Sequence, residues 1–165
     1  MILLNSVLVA TDFGDASDAA LAYGRDMART FGARLHVLHV AENVAATAAA
    51  EYYPALLTDL QKEVEGSARA RLDTLLTPED RTKLGAKPVT RVSAAVADAI
   101  VAYAREAHIN LIIVGTHGRG PVAHFFLGSV AERVVRTAPC PVLTVRRHER
   151  EPIEPKAATA AARIS

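Results

Sequence analysis

The chain has 165 residues, enough for one domain with a substantial hydrophobic core and few for two. Half of the residues are hydrophobic and 5% are aromatic, a composition typical of helices packed on a parallel sheet and unlike that of a β-sandwich. With 19 basic and 18 acidic residues the formal net charge is +1, which excludes a general electrostatic attraction to nucleic acid or to an anionic membrane.

The single cysteine and the short apolar start of the chain indicate a cytoplasmic protein. Cys140 has no partner for an internal disulfide, which suits a reducing compartment. The start, MILLNSVLV, lacks the basic region and the cleavage site of a signal peptide. No stretch reaches the roughly 18 apolar residues of a membrane span, so we expect no membrane partner.

The first predicted strand, Ser6–Ala10, ends in the turn residues TDFGD. Ligands of alternating α/β proteins bind at the carboxyl ends of strands, so Asp12 lies where a ligand is expected. A second, purely structural interpretation is that Asp12 or Asp15 caps the next helix. Small and apolar side chains at helical spacing predict that helix over residues 17–31, and Gly32 is a typical residue after a helix end.

The second predicted strand, Arg34–Ala41, carries two histidines three residues apart. Residues with this spacing point to opposite faces of a strand, so His36 and His39 are poorly placed to bind one metal ion together. We therefore interpret both as ordinary packed histidines.

The middle of the chain is less distinctive. Residues 43–50, NVAATAAA, either form a loop or begin the following helix, whose charged amphipathic pattern runs over residues 51–76. Pro78 then marks a helix stop or the start of another helix. A short strand is predicted over residues 88–93 and a further helix over residues 95–107, whose apolar side chains fall on one face.

The most informative stretch is the fourth predicted strand with the loop that follows it. Residues 111–114 are four consecutive apolar residues, which is typical of a buried strand. The chain continues as GTHGRGPVAHFFLGS, in which Gly115, Gly118 and Gly128 allow positive φ angles or close approach to a ligand. Ser129 opens a helix, and free N–H groups at a helix start bind anions, so this loop is suited to phosphates. No Walker sequence GxxxxGK[ST] occurs.

The order of the predicted elements defines the fold class. The helix Ser129–Thr137 precedes a last strand, Val142–Val145, and the proline just before that strand suits a sheet edge. Five strands alternating with helices predict a single α/β domain with a doubly wound, mainly parallel sheet and helices on both faces. Residues 148–165 mix charges, prolines and alanines without a core-like period, so we predict a domain over residues 1–147 and a polar, flexible tail.

Four stretches resemble the universal stress protein (UspA) family, in that family's order: VLVATDFGDAS, LHVLHVAE, DAIVAYAREAHINLIIVGTHGRG and GSVAERVVRTAPCPVLTVR. The spacing Gly115-x2-Gly118-x9-Gly128-Ser129 is similar to the signature of the ATP-binding subgroup. The resemblance implies a Rossmann-like sheet with the strand order 3-2-1-4-5. That order brings the ends of the first and fourth strands to one crevice.

The resemblance also implies a site for ATP or another adenine nucleotide at this crevice. Asp12 and Val40 would lie near the base, and Asp12 is the expected contact of a Mg²⁺ ion that the nucleotide carries. The phosphate and ribose contacts would be Gly115, Gly118, Gly128, Ser129 and the N–H of Val130. The complete predicted site is Ala10, Thr11, Asp12, Val40, Gly115, Thr116, His117, Gly118, Arg119, Gly128, Ser129 and Val130.

Some residues near this site are ambiguous or depart from the family. His117, Arg119 and His124 bring positive charge or donors to the phosphates, and an equal interpretation of His124 is a solvent-facing loop residue. Many family members have serine where Gly14 stands, and a glycine is common before the helix of residues 95–107, where this chain has SAA.

The function implied by the resemblance is that of a cytoplasmic, nucleotide-dependent regulatory dimer in the stress response. Its subunits would pair through the last strand, with Val142, Leu143 and Val145 in contact, and its protein partners are not indicated. We expect slow or no ATP hydrolysis, because no catalytic set such as Ser-His-Asp or HExxH is present. The alternatives are a protein interaction module that binds no nucleotide, and a nucleotidyl-transfer enzyme of related architecture, whose SGGxDS or HIGH motif is missing.

Overall fold

The computed structural model describes residues 3–46, 51–116 and 128–146. Its five strands are β1 Ser6–Ala10, β2 Arg34–Ala41, β3 Lys87–Val92, β4 Leu111–Gly115 and β5 Val142–Val145. All described pairings are parallel and the strand order is β3-β2-β1-β4-β5, so the predicted fold class and strand order are confirmed. The helices are α1 Asp15–Phe31, α2 Pro54–Leu75, α3 Pro78–Lys83, α4 Val96–Glu106 and α5 Ser129–Thr137.

Most element boundaries agree with the sequence pattern, and the differences have local causes. Helix α1 begins two residues earlier than predicted, because Gly14 is its N-cap and the first turn contains polar residues that the apolar pattern does not include. Helix α2 begins at Pro54, a residue suited to the first helical position. Pro78 starts α3 behind a Thr77 cap, so the second interpretation of that proline is right. Residues 44–46 form a short 3₁₀ turn, and the alanines after them lie outside the described residues.

Alternation along the strands divides the core into two layers. Val7 and Val9 of β1 face α1 and α2, whereas Leu8 between them faces α4 and α5. The two histidines of β2 follow the same rule: His36 lies with its Nδ1 2.7 Å from Tyr103 Oη on the α4 side, and His39 packs against Phe13 on the α1 side. The interpretation of both as packed histidines is confirmed.

A buried ion pair holds α3 against the second half of α1. Asp80 is 0% exposed, and Arg25 donates from Nε to both of its carboxylate oxygens at 3.0 Å and from Nη2 to Oδ2 at 2.8 Å. Arg25 Nη2 also donates to Leu75 O at 2.9 Å, and the Thr77 N–H donates to Asp80 Oδ2 at 3.0 Å. Burial alone would raise the Asp80 pKa, but the hydrogen bonds from Arg25 and Thr77 outweigh it and hold the pKa below its usual 3.8.

The two outer strands of the sheet have different surfaces. The edge strand β3 carries Lys87, Pro88 and Arg91, residues that hinder pairing with another strand. The edge strand β5, VLTV, carries no charge and no proline. Val145, one of the three predicted dimer contacts, is only 5% exposed because its side chain packs in the α1 layer, so that side chain is not available at the subunit surface.

None of the helices in the described part of the chain is both long and apolar enough to cross a membrane.

Candidate functional site

A cleft of about 310 Å³ opens at the carboxyl ends of β1 and β4, where the sheet order reverses direction. Residues from β1, β2, β4, α4 and α5 line it. Nine of the twelve predicted site residues are among them: Ala10, Thr11, Asp12, Val40, Gly115, Thr116, Gly128, Ser129 and Val130. The other three, His117, Gly118 and Arg119, lie outside the described residues, as does His124.

The turn between β1 and α1 supplies the carboxylate of the cleft. Thr11 is buried, and its Oγ1 accepts the Phe13 N–H at 2.9 Å and lies 3.1 Å from Ser17 Oγ. Asp12 Oδ1 accepts the Gly14 N–H at 2.9 Å. Asp12 Oδ2 makes no hydrogen bond within the described residues, so half of this carboxylate is committed to the turn and half is available to a ligand.

The capping interpretation of the two aspartates needs correction. The N-cap of α1 is Gly14, and Asp15 is the first residue of the helix rather than its cap. Asp12 does not accept from the first helical turn; it shapes the turn by accepting the N–H of the cap residue itself. Ser17 also contributes, because its Oγ donates to Gly14 O at 2.8 Å.

The glycines at the end of β4 and before α5 are required for a reason that differs from the predicted one. Neither Gly115 nor Gly128 has a positive φ. A Cβ at Gly115 would lie 2.7 Å from the carbonyl carbon of Ala16, so β4 ends directly against the backbone of α1. A Cβ at Gly128 would lie 2.9 Å from Thr116 O, which accepts the Gly128 N–H at 2.7 Å. Both glycines let the protein's own backbone close around the cleft.

The amino-terminal end of α5 lines the cleft with N–H donors that no described residue uses. Its N-cap, Gly128, has no side chain to accept from the first turn, and the first intrahelical bond runs from the Glu132 N–H to Gly128 O at 2.9 Å. The N–H groups of Ser129, Val130 and Ala131 therefore have no partner within the helix. Within the described part of the chain, the Ser129 hydroxyl makes no hydrogen bond either. Such a helix start favours an anion.

Much of the remaining lining of the cleft is apolar. Sequence reasoning named Ala10 and Val40 there and missed Leu38, Val96, Ile100 and Val114, which belong to the same lining. In the sequence, Val96 and Ile100 appear only as members of an amphipathic helix face. That pattern does not distinguish side chains packed against the sheet from side chains that line a cavity. The missed polar residue is Ser17, whose i+3 relation to Gly14 is a capping signal rather than a ligand signal.

The chemistry of the cleft is that of a binding site. Asp12 is the one carboxylate among the described residues that line it. No three His, Cys, Asp or Glu side chains lie close enough together to hold a metal ion within the described ranges. A divalent cation would thus need oxygen atoms from a ligand beside Asp12. Apolar side chains together with hydroxyl and N–H donors in one cleft suit a ligand with a flat apolar part and an anionic part.

Comparisons with known proteins agree with this architecture. The model of the universal stress protein family matches residues 4–146. The universal stress protein in the QAH/OAS sulfhydrylase 3′ region of Thermus aquaticus is 34% identical over 145 residues, which are 87% of this chain and 100% of that protein.

Solved structures extend the comparison to three dimensions. UspA from Lactobacillus plantarum has a TM-score of 0.69 and 25% identity, over 88% of this chain and 100% of that chain. The universal stress protein from Archaeoglobus fulgidus in complex with dAMP shares the fold, with a TM-score of 0.55 and 20% identity over 87% of this chain and 99% of that one. The sequence match, the relative and the common fold lead to one conclusion: this chain belongs to the universal stress protein family.

Proposed function

We propose that this protein binds ATP or another adenine nucleotide in the cleft between the ends of β1 and β4. The observation that carries the proposal is the pairing of an apolar lining with the uncapped start of α5 in one cleft of about 310 Å³. The base packs near Ala10 and Val40, and the phosphates accept from the N–H groups that open α5. The predicted phosphate contacts His117, Gly118 and Arg119 lie outside the described residues and remain part of the prediction. The dAMP bound by the Archaeoglobus fulgidus protein supports the view that this fold accommodates an adenine nucleotide.

Asp12 has two roles in this proposal. Its Oδ1 keeps the turn before α1 in place, and its Oδ2 coordinates a Mg²⁺ ion only together with nucleotide oxygens. When bound, the cation neutralises phosphate charge. Hydrolysis is slow or absent, because Asp12 is the one carboxylate among the described residues that line the cleft, and a single carboxylate activates water poorly. The nucleotide accordingly serves as a regulatory ligand in a cytoplasmic stress response.

Calorimetry with Mg-ATP, ADP and AMP, preceded by mass spectrometry of nucleotides released from the purified protein, tests this proposal. Ser129→Ala removes a hydroxyl at the anionic end, and we expect it to weaken ATP binding by roughly 0.5–1.5 kcal/mol. Thr74→Ala is the matched control, because Thr74 is an exposed hydroxyl of α2 that bonds only Ala70 O among the described residues. Failure of the unmodified protein to bind any of the three nucleotides at millimolar concentration would refute the proposal.

We also propose that two subunits pair through β5. The support is the contrast between the sheet edges, since β3 presents Lys87, Pro88 and Arg91 and β5 presents an uncharged edge. Backbone groups of β5 and the part-buried side chains of Val142 and Leu143 form the contact, whereas Val145 contributes its backbone. Light scattering after gel filtration tests this: Leu143→Asp yields monomers, and Thr90→Asp on the β3 edge leaves dimers. A monomeric unmodified protein would contradict it.

A further inference from the structure

Phe13, one residue after Asp12, has an unexpected backbone conformation. Its φ is +60°, in the left-handed region that an aromatic side chain disfavours. The next residue, Gly14, would tolerate that region without strain, yet its φ is −103°. The strained position is therefore occupied by the bulky residue while the glycine beside it adopts an ordinary conformation. Such strain persists only where the surroundings hold the residue firmly.

The Phe13 ring contacts two side chains, those of His39 and Arg71, and we name these three residues the Phe13 clamp. The ring centroids of Phe13 and His39 lie 4.4 Å apart, with 37° between their planes. The guanidinium carbon of Arg71, on α2, lies 4.0 Å from the Phe13 ring centroid, a cation–π distance. The clamp thus connects the β1–α1 turn to β2 and to α2.

Hydrogen bonds extend the clamp to the residue on the other side of Asp12. His39 Nδ1 lies 2.8 Å from Thr11 O, and a carbonyl only accepts, so the protonated Nδ1 donates. The Phe13 N–H donates to Thr11 Oγ1 at 2.9 Å. Asp12 is consequently bracketed by two residues that are each fixed by the clamp.

We infer that the Phe13 clamp positions the Asp12 carboxylate for the ligand of the cleft. None of the three clamp residues is among the described residues that line the cleft, so each acts through the turn and not by contact. A turn held in a strained conformation relaxes when the clamp is removed, and the free carboxylate oxygen then loses its fixed direction. Binding weakens because the lost preorganisation must be regained with each ligand. This inference rests on the proposed nucleotide site.

Calorimetric titration with Mg-ATP of the full chain and its clamp variants tests the inference. Arg71→Ala removes the cation from the ring and is expected to weaken binding about three-fold. Phe13→Ala removes the ring that contacts both His39 and Arg71 and is expected to weaken binding about ten-fold. Phe13→Tyr keeps the ring and retains the affinity of the unmodified protein. Arg69→Ala is the matched control, because Arg69 is an exposed arginine of the same helix whose partner is Glu65.

A double-mutant cycle separates positioning from a purely structural role. In an Asp12→Asn background, Arg71→Ala and Phe13→Ala should change the affinity less than about two-fold, because the group they position is already altered. Thermal unfolding of each variant checks that the fold is retained. Equal losses with and without Asp12, or no loss in either variant, would overturn the inference while ATP binding by the unmodified protein still stands. No ATP binding by the unmodified protein would overturn the proposed function and the inference together.

Discussion

The polar clusters at the two ends of α1 differ in how fully their aspartate oxygens are hydrogen-bonded. Toward its carboxyl end, Arg25 pairs with Asp80, whose carboxylate oxygens accept from Arg25 and Thr77 and which is 0% exposed. At its amino end, Asp12 is half-buried, uses one oxygen in the turn and lines the cleft that the start of α5 also lines. One aspartate is saturated and enclosed, and the other retains an acceptor beside a cavity.

The contrast shows why an acidic residue's identity does not reveal its role. A buried pair whose oxygens are all satisfied has no hydrogen-bonding capacity left for a ligand, and its effect is on stability. A carboxylate with an oxygen left over, in the same cleft as helix N–H groups that no described side chain caps, gains most from a ligand that supplies the missing partners. Five experiments test this difference between Asp80 and Asp12.

Asp80→Asn has the largest expected effect. It leaves the Arg25 guanidinium, 22% exposed, without its anionic partner, and we expect the free energy of unfolding to fall by about 3–5 kcal/mol. Urea denaturation measures this, and Mg-ATP affinity at low temperature should be retained. Asp73→Asn is the control. Asp73 is exposed and pairs with Arg81 at 2.8 Å, and loss of this ion pair is expected to lower the free energy of unfolding by less than about 1 kcal/mol. Similar losses of unfolding free energy in both variants would contradict the interpretation that the enclosed Asp80 carboxylate acts on stability.

Gly115→Ala is expected to affect stability and the cleft together. The new Cβ would lie 2.7 Å from the Ala16 backbone, so β4 and α1 must separate, at about 1–3 kcal/mol of stability. Gly66→Ala makes the opposite prediction: a Cβ there meets no atom within 4 Å inside α2, and a gain of about 0.5–1 kcal/mol is expected. Denaturation curves of both variants measure these changes. An unchanged free energy of unfolding in Gly115→Ala would show that the contact between Gly115 and the Ala16 backbone leaves room for a methyl group.

The acid dependence of stability should follow Asp80. Because the folded-state pKa of Asp80 lies below its usual 3.8, the ionised pair stabilises the fold above that pH. This contribution is lost as the pH falls below 3.8 and through the lower folded-state pKa. The unmodified protein should therefore lose stability over this range more steeply than Asp80→Asn, as measured by urea denaturation at a series of pH values. Parallel curves would contradict the prediction.

For His36 we predict a smaller change in stability, at milder pH. Burial, with Lys87 and Arg34 nearby, lowers its folded-state pKa below the usual 6.5, so it is buried neutral beside Tyr103. The unfolded chain binds a proton first as the pH falls below 6.5, and stability decreases until the folded-state pKa is passed. Thermal unfolding between pH 7 and pH 5 should show this decrease, reduced in His36→Gln and retained in His108→Gln, which alters an exposed histidine.

Gly14→Ser is expected to have the smallest effect and acts directly on the open end of α1. Serine is a good N-cap residue, so a gain of a few tenths of a kcal/mol is expected, at about the limit of denaturation measurements. Its Cβ would lie 3.0 Å from Asp12 Oδ1, which must yield slightly. Calorimetry with Mg-ATP should show a change in affinity of about two-fold, since only 1.4 kcal/mol gives ten-fold. An effect as large as that of Phe13→Ala would show that Asp12 depends more on Gly14 than on the clamp.

The glycines and Phe13 mark the limit of local reasoning. A glycine after a strand predicts either a positive φ angle or the close approach of other atoms to its Cα, and the sequence does not identify those atoms. For Gly115 they belong to Ala16, almost a hundred positions earlier in the chain. The left-handed residue, Phe13, is one that propensity would not select, because the energy that retains it comes from Arg71 and His39 on other elements.

Sequence patterns predicted the alternation of strands and helices and the opposite faces of His36 and His39, and the family resemblance implied the strand order that brings Asp12 together with Gly115 and Ser129. These follow from periodicity and from the rule that parallel strands end at one edge. The sequence patterns did not predict four features that depend on the folded chain: most of the apolar lining of the cleft, the Arg25–Asp80 pair, the Phe13 clamp and the burial of Val145. Each of these depends on contacts between residues far apart in the chain. A local pattern indicates the face of the helix or strand on which a side chain lies, but it does not identify the residues that this side chain contacts.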